Sequence, residues 1–329
     1  MFDIISIGSA TLDVFLRAKG LEVEKQDGAK EICVPYGAKI NVEEIHFESG
    51  GGGTNSAVTF ARQGLKTASI IKIGDDFAGK KVKRDLEGEE VNSSLIVEEK
   101  GGYTDYSTIL WAPDGGRTVL VYRGKSKLEV EEIPWERLKS KWFYISSVEG
   151  NLEIIKKIQK FKGFKGLKGL IKIAWNPGGK ELEQREKALA LLPAIEVLNL
   201  NKEEMEKLLK MEDGRWKMEE LLSEAQNLPC RYVVITNERN GSYLWNGKIW
   251  LHAGIYKDAP RIEATGAGDA FGSGLVSGLI KGFSLENCLR LASANASSVV
   301  GKVGAKKGIL HKREVKTWMS KKLNIQELT

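Results

Sequence analysis

The chain has 329 residues, 42% of them hydrophobic, and carries 50 Lys and Arg against 44 Asp and Glu, a formal charge of +6. That length buries one large core or two modest ones, and the mixing of both charges argues against a nucleic-acid partner while suiting anionic nucleotide substrates. Cys33, Cys230 and Cys288, with no C-x-x-C pair, indicate neither a disulfide framework nor a zinc site, so a reducing, cytoplasmic setting is expected.

Phe2 to Gly8 is a β-branched run without a basic flank and too short for a signal peptide or a membrane span, so a buried strand is predicted and no membrane partner is expected. Asp13 follows in Ser9-Ala10-Thr11-Leu12-Asp13. An acid just past the end of a parallel strand stands where ligands bind in α/β sheets, although a turn or cap acid reads the same way. Between Val14 and Ser49, Glu31–Val34 and Ala38–Phe47 are β-rich pieces too short for a core of their own.

Gly50-Gly51-Gly52-Gly53-Thr54-Asn55 then runs into Val58-Thr59-Phe60-Ala61, a glycine turn opening a helix. Gly74 to Lys81 nearly spells a phosphate-binding P-loop, but Lys81 stands where Ser or Thr is needed and Asp75-Asp76 repel phosphate; a loop and helix start is the better reading. Ser94–Val97, Asp105–Trp111 and Thr118–Tyr122 form a second β-rich stretch, with Pro113-Asp114-Gly115-Gly116 as a hairpin turn and Arg123 at its close.

From Trp142 strands and helices alternate: strand Phe143–Ser147, helix Leu152–Phe161, strand Leu170–Trp175, helix Lys180–Leu192. Alternation of this kind predicts an α/β fold with a mainly parallel central sheet and helices on both faces. The Lys-Gly run Lys160–Gly169 reads as a solvated connection. At the end of the next strand Asn201 precedes Glu204 by three, the spacing of a capping box. Val233–Thr236 is a strand followed by Asn237 to Gly241, and a hairpin spans Ser242–His252.

Glu263-Ala264-Thr265-Gly266-Ala267-Gly268-Asp269 then leads into the apolar run Ala270–Leu279. Bare glycine backbone at a helix start leaves N–H groups free for an oxyanion or phosphate. A carboxylate in that first turn can accept a proton from an incoming hydroxyl. Gly266, Ala267 and Gly268 as anion hole beside Asp269 as base are what phosphoryl transfer to an alcohol requires, while a glycine-rich turn into a buried helix reads alike. Leu285–Val300 continues as core helix, and Lys312–Leu323 reads as a terminal surface helix.

With Gly51 to Asn55, Gly64 and Gly74 as one signature and Gly266 to Asp269 with the small residues after it as another, the chain resembles the ribokinase-like carbohydrate kinase (PfkB) family over nearly its whole length. The resemblance implies a single ribokinase-like domain over residues 1–329, with a small β-sheet lid formed by about 14–49 and 94–123. It implies ATP-dependent transfer of a phosphoryl group to a hydroxyl of a sugar or sugar acid, with nucleosides as the alternative acceptors. Tyr36, Phe47, Tyr103 and Tyr106 are candidates for a base slot. A non-catalytic sensor on the same fold is the competing class, against which the retained Asp269 argues.

For the acceptor the resemblance implies Asp13, Gly50, Gly51 and Asn55, with Arg123 as a specificity residue. For the nucleotide it implies Asn201, Thr236, Gly241, Asn295 and Gly304. Glu204 would act on Mg²⁺ through water, and the neighbourhood of Glu263, where most relatives have Asp, would hold K⁺. Glu238 departs from the family's Gly and casts the nucleotide contact there into question. The resemblance also implies that the lid sheet could pair with a second copy of the chain to form a homodimer, as in several relatives.

Overall fold

The computed structural model describes residues 1–19, 21–26, 29–112, 116–124, 127–161, 171–211, 216–257 and 260–328. The hairpin tip Pro113–Gly115 and nearly all of the Lys-Gly run lie outside these. The first half of the chain forms β1 (Phe2–Ile7), β2 (Thr11–Ala18), β3 (Glu22–Gln26), β4 (Ala29–Cys33), β5 (Val42–Gly50), α1 (Gly52–Arg62), β6 (Thr67–Ile70), β7 (Lys72–Gly74), α2 (Phe77–Gly88), β8 (Val97–Glu99), β9 (Asp105–Trp111) and β10 (Arg117–Tyr122). Next come β11 (Ser140–Ile145), α3 (Glu153–Phe161), β12 (Lys172–Trp175), α4 (Gly179–Glu183), α5 (Arg185–Leu191), β13 (Val197–Asn201), α6 (Lys202–Leu209), α7 (Met218–Ala225) and β14 (Tyr232–Thr236). The last part holds β15 (Ser242–Trp245), β16 (Trp250–Ala253), α8 (Ala267–Ile280), α9 (Leu285–Val299), α10 (Lys312–Met319) and β17 (Ile325–Leu328).

Among the described residues nine strands pair in the order β17-β16-β15-β14-β13-β12-β11-β1-β6. From β6 to β14 neighbours run parallel, and β15 to β17 add an antiparallel margin. Strands of a parallel sheet bury both faces, and in β1 Ile4, Ile5 and Ile7 are fully buried together with the polar Ser6. Its Ile5 and Ile7 pack with Phe143, Ile154, Ile158 and Ile173, where α3 covers one face. Ile4 packs on the other with Phe60, Tyr144, Phe271 and Leu275, bringing in α1 and α8. Burying a side chain of this size contributes about 1.5–3 kcal/mol, so the two clusters clamp α1 and α8 to the sheet.

A second, smaller sheet has the order β10-β9-β2-β5 and holds most of the segments expected in a lid. It begins at Thr11 rather than near residue 14, and Asp13 lies within β2, between β5 and β9, instead of in a turn. The run Thr11 to Leu16 contains β-branched, aromatic and aliphatic residues that satisfy a strand paired on both edges. Ser94–Val97 does not join this sheet; the strand there, β8, pairs with β7 in a separate two-stranded sheet. The helix expected over Lys180–Leu192 is divided into α4 and α5. The terminal segment continues beyond α10 into β17, which extends the large sheet.

Candidate active site

Two glycine turns, far apart in sequence, open two helices toward one point. Before α1, Gly51 takes φ 91°, and before α8, Gly266 takes φ 78°, conformations that side chains rarely adopt. A Cβ on Gly51 would stand 2.5 Å from the Ser9 carbonyl oxygen, so this turn also needs its hydrogen. Asn55 in the first turn of α1 donates from Nδ2 to Oδ2 of Asp269 in the first turn of α8, at 2.9 Å. The near-absence of a side chain at Gly52 keeps that meeting point open, because a Cβ there would lie 3.1 Å from Asp269 Oδ1.

Burial raises the Asp269 carboxyl above its usual range, against the opposing pull of the Asn55 hydrogen bond and the Lys306 charge. Three buried polar atoms near this point have no protein partner among the described residues: Asn55 Oδ1, Tyr144 OH and Asn199 Oδ1. Gly272 lets the last two residues approach α8, since a Cβ would meet Tyr144 OH at 2.4 Å and Asn199 Nδ2 at 2.8 Å. Buried groups of this kind are ordinarily satisfied, so they mark a place built for water or a hydroxylated ligand.

Asp13 approaches from the smaller sheet. Its Oδ1 accepts a 2.5 Å bond from Thr11, and Gly50 lies so close that a Cβ would fall 2.0 Å from Oδ2. Register places Glu48 beside Asp13 on the same face of the sheet, whereas Phe47 and Tyr106 pair with Val14 and Leu12 on the opposite face. Phe47 and Tyr106 therefore cannot share a pocket wall with Asp13, and Tyr36 and Tyr103 are largely exposed. Arg123, expected to reach the acceptor, instead forms an ion pair with Asp105 at 2.9 Å.

The free N–H groups at the start of α8 differ by one position from those expected to form an anion hole. The Ala267 N–H is taken by the Ala264 carbonyl at 3.2 Å, while the N–H groups of Gly268 and Asp269 have no protein acceptor among the described residues. The α-helical start at Ala267, three residues earlier than Ala270, explains this, since the first turn leaves its donors without intrahelical acceptors.

Asn201 and Glu204 form the capping box, each side chain bonding the other's backbone N–H at 2.8–2.9 Å. Glu204 is raised in pKa by burial, with Asp269 adding to the effect. One Glu204 oxygen caps the Asn201 N–H, and the other has no hydrogen-bond partner among the described residues. That donor set fits Mg²⁺ held through water and by phosphates rather than caged by protein, and no cluster of three or more metal-ligating side chains occurs among the described residues.

Thr236 ends β14, and Gly241 takes φ 87° where a Cβ would meet the Ala253 carbonyl at 2.1 Å. Glu238, in the place of the family's Gly, retains a left-handed backbone at φ 42°. Asn295 is fully buried: Nδ2 donates to the Ala270 carbonyl at 2.8 Å and Oδ1 accepts from Leu310 N at 2.9 Å. Its amide thus locks α9 to α8 and is not presented to a nucleotide. Gly304 likewise spends its N–H on Glu263 Oε2 at 3.3 Å.

Glu263 is the hub of the loop before α8. Its Oε1 accepts from Arg117 at 2.6 Å and from Thr265 N at 2.8 Å. With both oxygens engaged and its charge met by a guanidinium, this side chain does not fit as a K⁺ ligand. Arg117 belongs to β10, so the pair joins the smaller sheet to the loop before α8. Lys306 is the other cation that sequence reasoning misses: 7% exposed, with Nζ bonded to the Ser49 carbonyl. In the sequence both look like ordinary solvated charges, Arg117 beside a turn and Lys306 in a Lys-Lys pair.

Residues 1–312 match the family described as pfkB family carbohydrate kinase. A cytidine kinase of Thermococcus kodakarensis is 25% identical over 310 residues, covering 92% of this chain and 98% of that protein. Among solved structures, Arabidopsis thaliana ribokinase complexed with ribose and ATP superposes with a TM-score of 0.79 at 21% identity, over 98% of this chain and 99% of the other. A Methanocaldococcus jannaschii nucleoside kinase, an archaeal member of the ribokinase family, gives 0.76 at 22% identity, over 97% and 98%. These likenesses establish the ribokinase-like fold.

Proposed function

Because the chain belongs to the pfkB family of carbohydrate kinases, we propose that it transfers the γ-phosphoryl group of ATP to a hydroxyl of a small sugar or sugar acid, with Asp269 as general base. The observation that carries this reading is the contact of Asn55 with Asp269 beside the uncommitted N–H groups of Gly268 and Asp269. Asp13 and the free Oδ1 of Asn55 would accept hydrogen bonds from acceptor hydroxyls. Asp269 would take the proton of the attacking hydroxyl as its oxygen bonds to the γ-phosphorus and the bond to the departing ADP oxygen breaks. The N–H donors, joined by that of Gly266, would meet the charge on the transferring group. Mg²⁺, with Glu204 and Asn201 behind its waters, would neutralise phosphate charge.

A nucleoside is the second reading for the acceptor, favoured by the names of the Thermococcus and Methanocaldococcus proteins. No helix among the described residues is long and apolar enough to cross a membrane, and we place the protein in the cytoplasm on its cysteine content. A homodimer through the lid would form along β10, an edge strand exposed over its length. The functional test is ADP formation from ATP against ribose, fructose, keto-deoxy acids, sugar phosphates and nucleosides. Acceptor-dependent ADP release is expected with at least one; its absence across the panel would reject the kinase reading.

A further inference from the structure

Lys306 is a buried cation that no step above uses. Among the described residues its ammonium has one hydrogen-bond partner, the Ser49 carbonyl oxygen, and no carboxylate in ion-pair contact. A charge removed from water without a paired counter-ion is costly, and its retention calls for a role. The position supplies one. Ala305, its neighbour, lies directly against Gly266, where a Cβ would stand 2.9 Å from the Ala305 Cα. Ser49 precedes Gly50, which touches Asp13. The lysine thus links the turn before α8 to the end of β5 that carries Gly50.

Four carboxylates act on it from the elements around it: Asp13 from β2, Glu48 from β5, Asp85 from α2 and Asp269 from α8. Two of these have a cation of their own, since Glu48 pairs with Lys307 at 2.5 Å and Asp85 with Lys81 at 2.6 Å. The two that remain, Asp13 and Asp269, are the groups assigned to grip the acceptor and to take its proton. Arg62 is committed to Glu89 and to the carbonyls of Lys306 and Ile309, so it fixes the lysine's backbone rather than sharing its task.

Resting on the proposed role of Asp269, we infer that Lys306 is a positioning residue of the reaction: its ammonium ties the Ser49–Gly50 end of β5 in place and supplies the internal positive charge that keeps Asp269 a carboxylate ready to accept a proton. Burial lowers the Lys306 pKa to about 8, with the four carboxylates opposing that fall. The lysine therefore loses its charge as pH rises through that value, and activity falls with it. Asp269 feels the reverse coupling, its raised pKa drawn down by the lysine.

The test is the pH dependence of kcat and kcat/KM from pH 5.5 to 9.5 for wild type, Lys306→Met, Lys306→Arg and Asp269→Asn, with ATP and the fastest acceptor of the panel. Lys306→Met is expected to lower kcat/KM by roughly tenfold or more below neutrality and to move the acid limb up by about one pH unit, the low end of what a neighbouring opposite charge does to a carboxylate. It is also expected to abolish the decline above pH 8. Lys306→Arg keeps the charge and is expected to retain the wild-type acid limb while moving the alkaline decline upward. Thermal melts identify any variant that fails to fold, and if Lys306→Met does so the alkaline limb of Lys306→Arg decides. An inactive Asp269→Asn together with an unmoved acid limb in Lys306→Met, or an unmoved alkaline limb in Lys306→Arg, overturns the role of Lys306 and leaves the base in place. Near-normal turnover in Asp269→Asn overturns both.

Discussion

Asn55 and Asp269, 214 positions apart, meet through a 2.9 Å hydrogen bond between the first turns of two helices. The donor stabilises the ionised form of a carboxyl that burial pushes the other way. Asn55→Ala removes that donor and an acceptor for the substrate. The Asp269 pKa then rises further, and each unit of rise lowers the ionised fraction tenfold on the acid side. A drop in kcat/KM of roughly tenfold or more at pH 6, shrinking toward pH 8, is the expected result in a pH-rate profile.

Gly50→Ala tests the acceptor side. The new methyl would fall 2.0 Å from Asp13 Oδ2, so the carboxylate must leave its position. The KM for the acceptor is expected to rise at least tenfold, while KM for ATP stays within a factor of two. Equal changes in both would place Asp13 outside acceptor binding.

Arg117→Ala leaves Glu263, whose side chain is 3% exposed, without its guanidinium. Removing one partner of a fully buried pair costs about 3–5 kcal/mol, and the greater exposure of Arg117 brings the expectation down to about 1–2 kcal/mol. For a chain of this size that is a fall of a few degrees in Tm. Because the pair joins β10 to the loop before α8, kcat is expected to fall as well. Scanning calorimetry and initial rates on one preparation check both.

Asp269 should also weaken the fold. Its folded-state pKa lies above the usual value, so its contribution to stability is full below the unfolded carboxylate pKa and is lost as pH rises through the folded one. Asp269→Asn should therefore melt higher than wild type at pH 7, with the gap closing as the pH drops below the carboxylate range. A variant less stable at pH 7 would show that the carboxylate is not penalised where it sits.

The residues explain which parts of this could be read in advance. β1 and the two glycine turns are legible because closely spaced isoleucines and a cluster of glycines each have few structural uses. The Asn201–Glu204 spacing also specified its capping box. The strand holding Asp13 was not, since its neighbours in the sheet, β5 and β9, lie far along the chain. Asn295 looked like a ligand contact and is a core lock, because an amide surrounded by apolar helix residues can face either way until α8 and α9 are packed. The partners of Arg117 and Lys306 are 146 and 257 positions distant, and no local pattern announces such contacts.

Turnover by Asp269→Asn is the most direct measurement. With nucleotide and acceptor affinities taken by calorimetry and ADP formation followed on the same protein, the account predicts both affinities retained and kcat reduced by about 10²–10⁴. A variant that binds both substrates and turns over at close to the wild-type rate would contradict it.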